Sequence, residues 1–285
     1  MISTIDSKAD SSLLLGVKVV SLALNAPGPV AAARLTKLGA KVIKVEPPSG
    51  DPISTAAPQW YASLCQGQTV LRLDLKDTAG RAQLNDLLKD ADLLLASFRP
   101  SALRRLGLDW ESLHALHPRL CFVGIIGYPP PEEERTGHDL TYQCNLGLLR
   151  PPNMPPTLFI DLAGAERAVS MALALLNQAA RKGVSGCAWV SLYECARDLT
   201  GPVKAGLTSA GGLLAGGYPL YGLYQASDGW IAIAALEPHF AERLLSELNL
   251  SQPDRAELER IFLQRSAAVW ESWANERDLP LVAVG

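Results

Sequence analysis

Apolar and polar positions fall in blocks along this chain, and strand-like runs give way to helical periods again and again. Residues 18–24 (KVVSLAL) predict a buried strand, 25–29 (NAPGP) a turn, 30–38 a helix ended by Gly39, and 41–46 (KVIKVE) a second strand. A unit of this length and order implies a parallel pair joined by a right-handed crossover. Further strands are predicted at 70–75, 93–98, 120–128 and 187–193. Helices are predicted at 78–91, 101–106 and 110–116, with a long apolar helix at about 162–180. This succession predicts an α/β fold, an open Rossmann-like parallel sheet with helices on both faces.

The texture changes at residue 201. Gly206, Gly211, Gly212, Gly216 and Gly217 mark a loose, flexible linker over 201–217. Beyond it, strands at 220–225 and 230–235 flank Ala226-Ser-Asp-Gly229, a hairpin signal, and helices follow at 239–248, 255–265 and 267–276. The expected organisation is a polar tail (1–15), a large domain (16–200), the linker, and a smaller α/β domain (218–285).

The 285 residues are 48% hydrophobic and 19% charged, ample for one large core or two. A net charge of −3 argues against a general nucleic-acid binder, though a local Arg cluster could still hold an anionic ligand. Five scattered cysteines without a C-x-x-C read as free thiols in a reducing compartment, and none is assigned to a metal or a nucleophile. Residues 1–12 are polar and lack a signal-peptide core, and no apolar stretch approaches a membrane span. A cytoplasmic protein with neither membrane nor nucleic-acid partner is expected. There is no P-loop, no G-x-G-x-x-G in the first βα turn, no H-E-x-x-H and no G-x-S-x-G.

What remains is carboxylates, histidine and arginine. His138 and Asp139 (TGHDL), Asp161 (FIDLAG) and Glu237 (ALEPHF) sit in or beside apolar runs, where burial makes a charge costly unless it is paired or used. Two acid/base groups facing one ligand could remove a proton on one side and return it on the other. Each also has a structural reading. Asp161 could cap the long helix, Asp139 a helix at 140–149, and Glu237 could sit in the first turn of a helix. Arg99, Arg104 and Arg105 could bind phosphates or form a solvated helix face. His114, His117 and His239 read as structural.

The order of several short motifs resembles the family III CoA-transferases (CaiB/BaiF type), which include the α-methylacyl-CoA racemases. They are Gly16-Val-Lys-Val-Val-Ser-Leu22, Pro27-Gly-Pro29, Leu38-Gly-Ala-Lys-Val-Ile-Lys-Val-Glu-Pro-Pro48, Leu73-Asp-Leu-Lys-Asp77, Ser97-Phe-Arg-Pro100, Arg105-Leu-Gly-Leu108, His117-Pro-Arg-Leu120, Gly137-His-Asp139, Asp161-Leu-Ala-Gly164, Val190-Ser-Leu192 and Asp228-Gly229. The resemblance implies an acyl-CoA thioester as substrate, with CoA as part of it and no prosthetic group, and an interlocked homodimer. It implies Asp161 as the nucleophile of a transferase, or Asp161 and His138 as the acid/base pair of a racemase. Asp139 and Glu237 would support that pair. The histidine at 138, where transferases usually carry an aromatic residue, favours the racemase, as does the stretch from Gly217 to Phe240. Arg99, Arg105 and Phe98 are the implied CoA contacts. A non-catalytic relative is the third reading, because residues 49–55 and 65–69 lack the family's basic residues and 128–135 is acidic. The chain also stops at Leu281-Val-Ala-Val-Gly285, where family members usually continue, so an incomplete ring is expected.

Overall fold

The computed structural model describes residues 12–285, so most of the tail expected at 1–15 lies outside the described residues. The chain divides into two compact units, the first ending at Asp198 and the second running from Leu199 to Gly285.

The first unit is built on β1 (Lys18–Ser21), α1 (Pro27–Lys37), β2 (Lys41–Glu46), α2 (Pro52–Ala56), α3 (Pro58–Leu64), β3 (Thr69–Arg72), α4 (Thr78–Lys89), β4 (Leu93–Ala96), α5 (Pro100–Leu106), α6 (Trp110–Leu116), β5 (Cys121–Ile126), α7 (Asp139–Asn145), α8 (Phe159–Lys182), β6 (Cys187–Ser191) and α9 (Leu192–Leu199). All six strands are parallel, in the order β3-β2-β1-β4-β5-β6. That is the doubly wound order whose direction reverses between β1 and β4, the point where ligands are expected beyond the carboxyl ends of the strands.

Strand periodicity of two sorts the side chains onto two faces. Leu93, Leu95, Cys121 and Val123 join one core with α1 and α8, while Leu94, Ala96 and Phe122 join the other with Leu84, Leu88, Leu103 and Leu113. Both helices on the first face carry small residues, Ala31 and Ala32 on α1 and Ala165, Ala168 and Ala172 on α8, all buried. Small side chains let helix and sheet pack at the density of a protein interior.

Three elements of this unit were not legible. The helices α2 and α3 each open on a proline at the first helical position, Pro52 and Pro58, which reads equally as loop. Helix α9 follows β6 with no turn residue between them, so the apolar run reads as one strand to Tyr193. Ser191 makes the switch, its Oγ accepting from the N–H of Glu194 at 3.3 Å.

In the second unit, α10 (Gly201–Lys204) and a 3₁₀ turn (Leu213–Ala215) precede the antiparallel strands β7 (Tyr221–Gln225) and β8 (Trp230–Ala234). Helices α11 (Pro238–Glu247), α12 (Arg255–Phe262) and α13 (Ala267–Asn275) follow, and β9 (Leu281–Ala283) joins β8 as the third strand. The segment expected as a flexible linker is folded into hydrogen-bonded turns. A Cβ at Gly212 would lie 2.1 Å from the carbonyl oxygen of Gly206, so this glycine permits a close backbone approach. Tyr224, Ile231, Phe262 and Trp270 form the core of this unit, where the Trp270 indole donates to the Phe262 carbonyl at 2.8 Å.

Candidate active site

Two adjoining cavities open at the carboxyl edge of the large sheet, beyond the switch between β1 and β4. Leu24 and Phe98 line both of them. The loops after the two strands are tied together there. Ser97 Oγ accepts from the Leu24 N–H at 2.8 Å and donates to the Leu24 carbonyl at 3.2 Å.

The smaller cavity, about 240 Å³, brings together Asp161, His138, Arg99, Tyr142, Glu133 and Asn25. Two of the four expected acid/base residues therefore share one cavity, although Asp161 follows His138 by 23 positions in sequence. Asp161 stands at the third position of α8. It is not the cap of that helix. Asp139 is, from a different helix. Buried to 4% exposure, its Oδ1 accepts from the N–H groups of Ile160 at 2.7 Å and Asp161 at 3.0 Å, and its Oδ2 accepts from Gln143 Nε2 at 2.5 Å. The expectation that Asp139 caps its own helix is corrected accordingly. It opens α7 and spends its charge on α8.

This arrangement sets the chemistry of Asp161. Burial, and then the negative charge of Asp139, push its carboxyl up to about 7. A helix N-terminus pulls a carboxylate the other way, and here burial wins. At neutral pH the group can give or accept a proton. The neighbouring Tyr142 is 1% exposed, and burial, with help from Tyr128 and Asp161, raises its hydroxyl further, so it stays a hydrogen-bond donor. Its ring fits only because residue 137 is glycine, where a Cβ would come within 2.5 Å of it.

The other two residues depart from the expectation of burial. His138 is exposed and stands at the N-cap of α7, its N–H donating to Thr141 Oγ1 at 2.9 Å. Glu237 belongs to the second unit, is exposed, and occupies the N-cap position of α11 without a side-chain cap bond. An apolar neighbour in sequence was a poor guide, because both stand where a chain turns into a helix.

The larger cavity, about 450 Å³, carries Lys76, Arg81 and Arg105, with the carboxylates Glu46 and Asp74, against an apolar wall that includes Leu22, Leu73 and Phe98. Arg105 thus lies in this basic cavity, and Arg99 in the one with Asp161. The residues expected to weaken anion binding have other work. Asp51 caps α2 through the Ile53 N–H at 3.0 Å and pairs with buried Lys44 at 2.8 Å, and Gln68 donates to the Leu64 carbonyl at 2.8 Å. The cations come instead from the loop after β3, from α4 and from α5. The acidic loop is fastened too, since Glu134 accepts from the Ser101 N–H at 2.8 Å and its hydroxyl at 2.7 Å.

Sequence reasoning missed Tyr142, Asn25, Lys76 and Arg81. Tyr142 carried a signal, lying three residues after Asp139 and hence on the same helix face. Asn25 carried another, as asparagine tolerates positive φ, here 62°, in the turn after β1. No cluster of three metal-ligating side chains occurs among the described residues, nor does any helix there reach the length and apolarity of a membrane span.

The cap makes a testable claim. Asp139→Ala leaves two N–H groups without an acceptor, one of them on fully buried Ile160, and is expected to cost roughly 2–4 kcal/mol in a urea melt. A change below about 0.5 kcal/mol, the size of an ordinary surface substitution, would contradict the assignment.

Comparison with known proteins agrees with this architecture. The model of "CoA-transferase family III" matches residues 14–284. A human α-methylacyl-CoA racemase is 30% identical, over 90% of this chain and 74% of the racemase. A cinnamoyl-CoA:phenyllactate CoA-transferase of Clostridium sporogenes is 34% identical, over 58% of this chain and 46% of the transferase. Among solved structures, the hypothetical protein Rv3272 of Mycobacterium tuberculosis superposes with a TM-score of 0.84 at 24% identity, covering 96% of this chain and 84% of that one.

Proposed function

This chain belongs to CoA-transferase family III, and from that premise we propose that it acts on acyl-CoA thioesters as a racemase or epimerase of 2-methylacyl-CoA. The carrying observation is the shared cavity in which Asp161, with a carboxyl raised to about 7, and His138 both line the wall. The thioester carbonyl acidifies the α-carbon. One of the two groups takes the α-proton, an enolate forms, and the other group returns a proton to the opposite face. A carboxyl balanced near neutral pH suits both directions of that exchange.

In this reading the adjoining basic cavity takes the nucleotide end of CoA. Arg105, Arg81 and Lys76 meet its phosphates, for which guanidinium geometry is well matched. Phe98 stands where the two cavities join, and Arg99 beside the thioester. Asp139 tunes Asp161 through its charge. CoA enters as part of the substrate, with no prosthetic group. An interlocked homodimer in the cytoplasm belongs to the same proposal.

The second reading is a CoA-transferase in which the Asp161 carboxylate attacks the thioester carbonyl, breaks its C–S bond with release of the CoA thiolate, and carries the acyl group as a mixed anhydride. The transferase among its relatives favours it. A carboxyl held near 7 is protonated in part at neutral pH, which weakens it as a nucleophile. A non-catalytic relative is the third reading. The two enzymes differ in what they need. Racemisation requires no acceptor acid, and a transferase does. Purified protein given one epimer of 2-methylbutanoyl-CoA alone should produce the other epimer. No inversion without an added carboxylic acid, together with a hydroxylamine-trapped adduct on Asp161, would establish the transferase instead. No binding of CoA or its thioesters in calorimetry would establish the non-catalytic relative.

A further inference from the structure

One group in the wall of the Asp161 cavity has no part yet in the proposed proton transfer. Tyr142 lines that cavity and is 1% exposed. Its ring is held in the core, edge-on to Tyr128 with centroids 5.3 Å apart. The Tyr128 hydroxyl accepts from Asn145 Nδ2 at 2.9 Å. The Tyr142 hydroxyl has no such partner, for no side chain or backbone group among the described residues hydrogen-bonds to it. A buried tyrosine hydroxyl usually finds one. The oxygen is not sealed in either. Among the described residues, only Gln68 Oε1 and Glu133 Oε2 are closed off from solvent without a partner. The Tyr142 hydroxyl therefore keeps an opening, and on a residue this buried the opening is onto the cavity it lines.

Two glycines seat the end of the phenol. A Cβ at Gly127 would lie 2.6 Å from the hydroxyl oxygen, and one at Gly137 would lie 2.8 Å from it. Both glycines line the same cavity, so the oxygen emerges between them at its wall. Tyr142 follows His138 by one helical turn of α7, and its hydroxyl feels the charge of Asp161. Acid, base and donor thus surround one space.

We propose that Tyr142 is a further catalytic residue, whose hydroxyl donates to the thioester oxygen of the bound acyl-CoA and holds the enolate that forms there. This deepens the racemase reading and rests on it. When the base takes the C2 proton, the C–H electron pair becomes the C1–C2 double bond and the carbonyl π pair moves to oxygen. The negative charge arrives at the hydroxyl, which keeps its own proton. Return of a proton to C2 reverses these shifts. A donor fixed in advance and shielded from water stabilises such a charge without reorganising at the moment of reaction. Burial, first among the causes, keeps the hydroxyl protonated at neutral pH, so the donor is always present.

The test removes one oxygen. Tyr142→Phe keeps the ring and its packing. Its kcat for inversion of 2-methylbutanoyl-CoA should fall by about 10²–10³-fold, while the calorimetric Kd for that thioester changes by less than about 3-fold. The thermal midpoint should not fall, because the hydroxyl has no partner within the chain to lose. A second readout needs no turnover. Acetoacetyl-CoA ionises to an enolate that absorbs in the near ultraviolet. Bound to the parent protein it should ionise at a lower pH than when free, and Tyr142→Phe should raise that pH by about one unit or more, a tenfold change in the equilibrium. A variant that inverts the thioester at the parent rate, or ionises bound acetoacetyl-CoA at the parent pH, would overturn the proposal alone. So would a midpoint lowered by several degrees, which would mean that the hydroxyl serves the fold. If the parent itself leaves the C2 proton of the thioester untouched, the racemase reading falls and this inference with it.

Discussion

Asp161→Asn is expected to slow inversion of a 2-methylacyl-CoA by about 10²–10⁴-fold, the usual contribution of a positioned acid/base group, without unfolding the protein. The amide keeps the size of the carboxyl and removes its proton chemistry. The same variant carries a second expectation with a definite sign. The Asp161 carboxyl titrates near 7 in the folded chain against an ordinary value of 3.8. Between those values the folded state keeps a proton that the unfolded chain has released, so stability falls as pH rises through the window. The asparagine variant has no such group. Its stability relative to the parent should grow from pH 4 to pH 7 and level off above. Urea melts at several pH values check this, and a parallel pair of curves would mean that Asp161 titrates normally in the folded protein.

Lys44→Met is expected to cost about 3–5 kcal/mol, the usual penalty for removing one partner of a buried ion pair. Lys44 is fully buried, with its Nζ 2.6 Å from Glu46 Oε1 and 2.8 Å from Asp51 Oδ2. Tyr61 donates to the same Glu46 oxygen at 2.6 Å. Burial alone would raise the Glu46 carboxyl, but the hydrogen bonds from Lys44 and Tyr61 together outweigh it and hold it below its ordinary value. Methionine fills the space and leaves two buried carboxylates facing each other. Adding Glu46→Gln and Asp51→Asn should recover most of the loss, because buried ion clusters replaced as a whole are often close to neutral. A mild single variant, or a triple variant no better than the single, would contradict this account. Since Glu46 also lines the basic cavity, the single variant should weaken CoA binding as well.

Lys44 shows where reading the sequence stops. It lies in KVIKVE, and the strand β2 was legible to the residue because the β-branched Val42, Ile43 and Val45 favour an extended run. Nothing in that pattern says that the second lysine of the run is buried and paired with Asp51, seven residues on. Such a contact depends on how the chain returns, and local periodicity carries no record of it. The same limit appears in the site. Asp161 and His138 could be chosen by residue type and family order, and they do line one cavity. The cap supplied by Asp139 crosses between two helices, so spacing could not reveal it. Short elements failed for a related reason. The strand β9 spans three residues, too few to display a period.

The central claim is that this chain moves the α-proton of an acyl-CoA between Asp161 and His138. Its most direct test is deuterium exchange. One epimer of a 2-methylacyl-CoA is incubated in D₂O at pH 7 with the parent protein and with His138→Ala, and the C2 position is followed by NMR. The account predicts that the parent places deuterium at C2 and yields both epimers. His138→Ala should lose inversion while still exchanging the proton of the one epimer that faces Asp161. A C2 proton that stays put in the parent, with the thioester bound, would contradict the account.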